Sequence, residues 1–211
     1  MIVLNHFEFT ENMSNDLVRI RKCELLESYP SLRKNYLNFL HVNYISELML
    51  KCEIPEVESN DYFNMLKKTI SELSNSNNSI EIKFNFELQL MRFLGIEPNL
   101  ETCAKCNGDI WNLVSIRNVE PKYSAPYQLD ASLGGIRCPK CCIVNSFVAY
   151  LNPGSMAFFY SRQKKVKFDS ILKPTINNLK ELDTAFLVYF RHFFGKELKS
   201  HALLKDNLWK N

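Results

Sequence analysis

The chain has 211 residues, of which 46% are hydrophobic and 12% aromatic, so it can bury a large apolar core and is not intrinsically disordered. It contains only six glycines, with no glycine-rich phosphate loop and no dinucleotide-binding fingerprint. The net charge of +3 is uneven, because residues 151–211 carry 11 of the 26 basic residues and only 5 of the 23 acidic ones. This basic end could face an anionic partner such as phosphate, although Lys-rich helices are commonly just solvated surfaces.

Alternating residues predict two strands at the start of the chain, MIVLNHFEF and LVRIRKCELLE, separated by the polar turn TENMSND. The same N-terminus lacks a basic region followed by a long apolar run, so we expect no secretory signal. No stretch approaches the roughly 18 apolar residues of a membrane span, so we also expect no membrane partner. Because two strands alone are marginally stable, this hairpin needs support from elsewhere.

Apolar residues at helical intervals predict two helices after the hairpin. The first begins at Ser28, where Ser-Tyr-Pro offers a capping hydroxyl and an early proline, and it ends before Pro55. The second begins near Asp61, and the polar run at 74–79 is a loop. The residues that recur at helical intervals in the first helix are Leu32, Tyr36, Phe39, Leu40, Asn43, Tyr44, Leu48 and Cys52.

Residues 80–95 are ambiguous. Ile80, Ile82 and Phe84 alternate as in a strand, whereas Phe84, Leu88 and Met91 recur as in a helix. The length of the segment, and a glycine directly after its last apolar turn, favour a helix.

The C-terminal third is predicted to be helical as well. Asn152 and Pro153 form a typical helix start, and a second helix runs from Pro174 to a stop at Gly195. A short basic amphipathic tail follows. The predicted fold is therefore mainly α with small β parts.

Two Cys-x-x-Cys pairs carry the strongest chemical signal. TCAKCNGD contains Cys103 and Cys106, and GGIRCPKCC contains Cys138 and Cys141, with Cys142 as a spare. Four thiolates at this spacing can close a tetrahedral shell around Zn2+, and a closed shell leaves no position for catalysis, so such a zinc is structural. Two unrelated reduced pairs, or disulfides in an oxidising compartment, are the alternatives. The odd total of seven cysteines and the absent signal favour a reducing cytoplasm.

The histidines give no catalytic arrangement. None of the four has a serine, cysteine or carboxylate at a spacing that predicts a catalytic pair; they are His6, His41, His192 and His201. We therefore predict that the protein is not an enzyme.

Several segments in order resemble the RecO family of bacterial recombination mediators. They are RIRKCELLESYPSLRKN, FELQLMRFLGIEPNLETCAKCNG, LDASLGGIRCPKC, LNPGSMAFF and FFGKELKSHALL, which together extend over nearly the whole chain. The resemblance implies an N-terminal OB-fold, a helical body and a zinc-ribbon-like insertion with four cysteine ligands. It also assigns the zinc to the same four cysteines.

The resemblance implies domain limits as well. Residues 1–27 would form a partial OB-fold, and 28–211 the helical domain, with the zinc-binding hairpin at about 100–145. Family members normally carry roughly 50 further residues before this start, enough for three more strands. We therefore expect an incomplete barrel here.

The function implied is DNA repair and recombination in the bacterial cytoplasm, associated with the nucleoid. Such proteins bind and anneal single-stranded DNA and, with RecR, help RecA replace single-strand binding protein. Basic residues are the expected DNA contacts: Arg162, Lys164, Lys165, Lys167, Lys196, Lys199, Lys205, Arg19, Arg21 and Lys22. His6, Phe7 and Phe9 are weaker candidates for base stacking.

The alternative is a module that docks a protein partner without binding DNA strongly itself. Its partner would be RecR or the acidic, Phe-ended tail of single-strand binding protein. Such a tail needs an apolar notch with a cation at its edge, and Arg92, beside Met91 and Phe93, is the candidate cation.

Overall fold

The computed structural model describes residues 2–11, 18–52, 59–115, 118–164 and 173–209, and of 112–115 and 118–121 only the backbone. The helices are α1 (Pro30–Lys34), α2 (Tyr36–Lys51), α3 (Ser59–Asn75), α4 (Ser79–Phe93), α5 (Pro153–Lys164), α6 (Ile176–Phe194) and α7 (Lys199–Leu208). The strands are β1 (Val3–Glu11), β2 (Val18–Ser28), β3 (Asn99–Cys103), β4 (Trp111–Ser115), β5 (Asn118–Pro121), β6 (Tyr127–Asp130), β7 (Gly135–Arg137) and β8 (Val148–Leu151). The predicted class, mainly α with small β parts, is confirmed. Across these described ranges, no helix has the length and apolarity needed to cross a bilayer.

Strands β1 and β2 form an antiparallel hairpin with two register irregularities. Every residue of β2 is exposed. The hairpin meets the helices at its base, where the backbone N–H of the buried Tyr29 donates to the carbonyl of Ile2 over 3.4 Å. Its division from the rest as a partial OB-fold stays a prediction.

The first predicted helix is two helices, because the chain is extended at Asn35. The Asn35 side chain accepts a hydrogen bond from the N–H of Asn38 over 3.1 Å and so caps α2. Of the residues at helical intervals, Tyr36 and Phe39 are exposed on α2. The apolar residues that α2 does bury are Leu40, Val42, Tyr44, Ile45 and Leu48.

The ambiguous segment at 80–95 is helical, as predicted, and forms α4. Phe84 of this helix stacks on Phe186 of α6 with ring centroids 4.9 Å apart, and it also contacts Phe158 and Phe159 of α5. Aromatic contacts of this kind add to the free energy gained by burying the rings. These four side chains therefore join α4, α5 and α6 around one core.

The starts and ends of the C-terminal helices agree closely with the capping signals. The Asn152 side chain accepts from the N–H of Ser155 at the start of α5. Helix α6 begins after Thr175, whose hydroxyl accepts from the N–H of Asn178 in a reciprocal capping box. It ends at Gly195, which has a left-handed φ of 62°.

A four-stranded sheet in the order β3-β7-β6-β8 follows α4. Strands β3 and β7 are parallel, whereas β6 pairs antiparallel with both β7 and β8. Strand β8 packs against α6 and leads directly into α5. The parallel pairing of β3 with β7 brings the two ends of the 100–145 segment side by side.

Candidate functional site

The sulfurs of Cys103, Cys106, Cys138 and Cys141 form one cluster, all lying within 4.8 Å of one another. The Sγ atoms of Cys106 and Cys138 are 3.9 Å apart. Tetrahedral zinc with Zn–S bonds of about 2.3 Å places its sulfurs about 3.8 Å apart. The cluster can therefore hold a metal ion and is compatible with structural zinc.

The first cysteine pair lies at the end of β3. The chain turns back there, since the N–H of Asn107 donates to the carbonyl of Cys103 over 2.9 Å. Asn107 adopts a positive φ of 57°, which asparagine tolerates better than most residues. The turn is closed by the N–H of Cys103, which donates to the carbonyl of Gly108 over 2.8 Å.

The second cysteine pair follows β7 in a short 3-10 turn, Pro139–Cys141. Arg137 links this turn to β6. Its Nε donates to the buried carboxylate of Asp130 over 2.5 Å, and its Nη1 donates to the carbonyl of Cys141 over 3.3 Å. Asp130 also accepts from the N–H and hydroxyl of Ser132. The hairpin of β6 and β7 thus fixes the second pair in place.

The two adjacent glycines bring the second pair close to the first. Gly134 has a φ of 63°, which favours glycine. A Cβ on Gly135 would lie 3.1 Å from the carbonyl oxygen of Asn99 and 3.2 Å from the Cβ of Ala104. A side chain at this position would be crowded against β3 and would have to push its neighbours away, so glycine favours the close approach of β7 to β3.

Two of the clustered thiols have pKa values shifted in opposite directions. Burial raises the pKa of the Cys103 thiol, but backbone N–H groups of Cys138, Cys106 and Lys105 outweigh it and lower this pKa to about 6. Burial, and then the neighbouring sulfurs of Cys106 and Cys138, raise the pKa of Cys141 to about 12. A cation at the centre would favour the Cys141 thiolate, which is otherwise protonated at neutral pH.

The other three cysteines lie outside the cluster. The Cys142 thiol is exposed and faces the carbonyls of Cys138 and Pro126 instead. Cys23 is exposed on the hairpin, and Cys52 ends α2. All seven cysteines are free thiols in the structure, and the two unrelated pairs considered from the sequence are in fact one group.

The residues of α5 that we predict to contact DNA form ion pairs with carboxylates. Arg162 lies 2.8 Å from Glu81, and Lys164 lies 2.6 Å from Glu101. These pairs are partly exposed, so each contributes little to stability. Lys165 and Lys167 lie outside the described residues.

The remaining predicted DNA contacts are on the C-terminal segment and the hairpin. Lys196, Lys199 and Lys205 are exposed and make no ion pair with any described residue. The same is true of Arg19 and Arg21 on β2. Lys22 differs, because it is paired with Glu24 at 2.7 Å and Glu8 at 3.5 Å.

A carboxylate that sequence reasoning missed anchors the C-terminal segment to α2. Glu47 accepts from the N–H groups of Lys199 and Ser200, over 3.0 and 2.8 Å, and from the hydroxyl of Ser200. It thereby caps the first turn of α7, where a negative charge also meets the positive end of the helix dipole. Burial raises the pKa of Glu47, but these hydrogen bonds outweigh it and leave the pKa below its usual value.

A second missed feature is a buried polar network beneath α7. His201 Nε2 lies 3.0 Å from Asp183 Oδ1, and Lys83 donates both to Asp183 and to Glu87 over 2.8 Å. Tyr44 donates to Glu87 over 2.6 Å. All five side chains are buried, so the network joins α2, α4, α6 and α7 through groups that water does not reach.

Arg92, the predicted partner contact, is already bonded within the protein. Its guanidinium donates to both carboxylate oxygens of Glu97 and to the carbonyl of Gln163. Arg92 lines an open groove of about 540 Å³, and a second groove of about 380 Å³ lies between the residues before β8 and the end of α6. This second groove is lined by Ser146, Phe147, Val188, Arg191, His192, Gly195, Lys196 and Glu197.

Comparison with known proteins agrees with this architecture. Residues 33–187 match the family model described as Recombination protein O C terminal. A DNA repair protein RecO from Pelotomaculum thermopropionicum is 25% identical over 200 residues, covering 93% of this chain and 72% of that protein. One from Syntrophus aciditrophicus is 19% identical over 201 residues, covering 94% of this chain and 73% of the relative.

The matched range extends from α1 to α6 and contains all four clustered cysteines. The resemblance seen in the sequence is thereby confirmed: the chain belongs to the RecO family of DNA repair proteins.

Proposed function

We propose that this protein binds single-stranded DNA without sequence preference and acts as a recombination mediator, annealing strands and, with RecR, helping RecA to load. The observation that carries the proposal is the set of exposed cations without ion pairs, Lys196, Lys199 and Lys205, on a C-terminal segment held rigidly by Glu47 and the buried network. Cations without carboxylate partners are free to meet phosphates. Phosphate contacts give affinity without reading bases, which suits a protein that must act on any strand.

The hairpin would add to this surface. Arg19 and Arg21 are free to contact phosphates, and Phe7 and Phe9 are exposed, so they can stack on bases. Arg162 and Lys164 would contribute by exchanging their carboxylate partners for phosphate. A DNA partner also implies a cytoplasmic location at the nucleoid.

The metal in this proposal is one structural zinc. Four cysteines in two Cys-x-x-Cys turns are the ligand set that zinc prefers, and all four positions around the ion would be filled by protein. The zinc would hold β3 and β7 together and take no part in a reaction, so the proposal includes no turnover chemistry.

Binding of labelled oligonucleotides tests the proposed function. Fluorescence anisotropy should show similar affinities for a mixed sequence and for oligo-dT, with log affinity falling linearly as log salt rises. Absence of binding at low salt would contradict it, as would affinity for one sequence that salt does not weaken.

The second candidate function, docking of a protein tail, is supported by the groove beside α6. Phe147 contributes an exposed aromatic ring there, packed edge-on against His192 at 5.2 Å, and Lys196 a free cation. An acidic peptide ending in phenylalanine, such as the tail of single-strand binding protein, has the matching chemistry.

Peptide binding separates this candidate from the first. A labelled acidic peptide ending in Phe should bind the wild type and lose affinity for Phe147→Ala, but not for Phe63→Ala, which removes an exposed ring from α3. Equal affinity for both variants would move the docking site away from this groove.

A further inference from the structure

Each cysteine pair of the cluster carries one lysine at the same position. The first pair reads Cys-Ala-Lys-Cys and the second reads Cys-Pro-Lys-Cys, so Lys105 and Lys140 each stand directly before the last cysteine of their pair. The backbone N–H of Lys105 bonds to the sulfur of Cys103, and that of Lys140 bonds to the sulfur of Cys138. The two knuckles, which are the turns from the first to the last cysteine of each pair, therefore present a lysine in the same way.

A third lysine, Lys122, is connected to both knuckles. Its backbone N–H donates to the carbonyl of Ile110 over 2.7 Å, and the N–H of Ile110 donates to the carbonyl of Glu101 over 3.1 Å. Glu101 belongs to β3, which leads into the first knuckle. The residue after Lys122 is Tyr123, whose ring centroid lies 5.8 Å from the Nζ of Lys140 in the second knuckle.

These three lysines form a cationic surface with little compensating charge. All three are exposed, and none makes an ion pair with a described carboxylate. Among the described side chains of 103–111 and 122–147, Asp109 is the only other exposed charge, since Asp130 and Arg137 are buried and bonded to each other. Cations gathered on one surface raise the local positive potential, which attracts a polyanion.

The knuckles lie at the opposite end of the four-stranded sheet from the C-terminal lysines. Strands β3 and β7 each lead into a knuckle at their last residue. The groove beside α6, lined by Lys196 and Phe147, lies next to Val148, the first residue of β8. Val148 pairs with Asp130, and Asp130 pairs with Gly135, the first residue of β7. A contact made at the knuckles is therefore separate from one made by the C-terminal segment.

We propose that Lys105, Lys122 and Lys140 form a second contact surface for the phosphates of single-stranded DNA. The proposal rests on the proposed function, because it adds a site to a protein that binds single strands. Lysine meets phosphate as a point charge, and phosphate contacts do not read bases. The knuckles would then strengthen binding to any sequence while leaving the cysteines to hold the metal.

The competing role for these lysines is to balance the charge of the cysteine thiolates. Four thiolates around one Zn2+ leave a net negative charge, and Lys105 and Lys140 are attached to the knuckles that would hold it. Their side chains do not serve the sulfurs directly, because among the described residues no Nζ lies within hydrogen-bonding distance of a clustered sulfur. Lys122 lies outside both knuckles. The lysines are therefore available to an external anion.

Salt dependence of DNA binding in the full-length variant K105Q/K122Q/K140Q tests the proposal. Fluorescence anisotropy with labelled oligo-dT should show that the slope of log affinity against log salt shrinks by about 2, at roughly 0.7 per phosphate contact. The control K34Q/K67Q/K68Q removes the same charge from exposed positions of α1 and α3 and should keep the wild-type slope. Far-UV circular dichroism would verify that both variants keep their helices.

Zinc content is the second readout, and the triple variant should keep the zinc content of the wild type because it retains all four cysteines. A variant that loses zinc but keeps the wild-type slope would overturn the proposal in favour of charge balance. If zinc and slope are both lost, Lys122→Gln decides, since it lies outside the knuckles and should lower the slope by about 0.7 with zinc unchanged.

Two further results would overturn the proposal. A wild-type slope in K105Q/K122Q/K140Q, or in Lys122→Gln, would place the phosphates elsewhere and leave the proposed function standing. A wild-type protein that binds no oligo-dT at low salt would instead overturn both the second surface and the proposed function.

Discussion

The Nζ of Lys83 lies 2.8 Å from the Oδ1 of Asp183, which is 100 positions further along the chain, and both side chains are buried. Burial would disfavour both charges. The attraction between them outweighs it, raising the pKa of Lys83 and lowering that of Asp183. Because Asp183 also holds His201, this ion pair connects the helical core to the segment that carries the proposed DNA contacts.

Replacing Lys83 by methionine should destabilise the protein by about 3–5 kcal/mol, because it leaves Asp183 and Glu87 buried without a cation. Urea unfolding followed by circular dichroism measures this free energy. The matched control is Lys68→Met, which removes an exposed pair with Glu72 at 3.9 Å and should cost less than about 1 kcal/mol. Equal losses of unfolding free energy in the two variants would show that the buried network stabilises the protein no more than the exposed pair does.

Stability should fall as the pH drops from about 6.5 to 4 because of His41. Burial, opposed by its hydrogen bond to the carbonyl of Leu37, lowers the pKa of this histidine to about 4. In that window the unfolded chain binds a proton that the folded protein does not, so stability rises with pH and is lost on acidification. The loss should be about 3 kcal/mol between these limits.

The variant His41→Leu isolates this contribution. It removes the titrating group, so its stability should vary less than that of the wild type between pH 6.5 and 4. The depressed pKa of Asp183 affects stability only at lower pH. The stability that Asp183 contributes is lost as the pH falls below the ordinary pKa of aspartate. Parallel pH profiles for the two proteins would mean that His41 is not the group responsible.

The purified protein should contain one zinc per chain, held by the four clustered cysteines. Cys138→Ser should lower the zinc content and the melting temperature, because it removes one of four ligands and loosens the contact between β3 and β7. Cys142→Ser is the control and should change neither. Elemental analysis of the wild type decides the matter, since a metal-free protein with full stability would exclude a structural zinc.

The sequence was most informative where the signal was local. Paired cysteines, the glycine after α4 and the Asn-Pro start of α5 each lie within a few residues of the feature that they predict. The break at Asn35 was missed because an asparagine inside an apolar pattern does not by itself distinguish a cap from a solvated helix position.

The buried network could not be predicted in this way. Lys83 lies in a helix of mixed composition, where a lysine is ordinarily exposed, and its two acceptors are 4 and 100 positions away. Glu47 likewise meets Ser200 across 153 positions. Contacts at such separations follow from how the helices pack, and neither hydrophobic period nor motif spacing encodes that packing.

The most direct test of the proposed DNA surface is the salt dependence of single-stranded DNA binding in the variant K196Q/K199Q/K205Q. Its control is K34Q/K67Q/K68Q, which removes the same charge from exposed positions of α1 and α3. If all three C-terminal lysines meet phosphates, the slope of log affinity against log salt should shrink by about 2 in the first variant, at roughly 0.7 per contact, and stay unchanged in the control. Equal slopes in the wild type and both variants would contradict a DNA surface on the C-terminal segment.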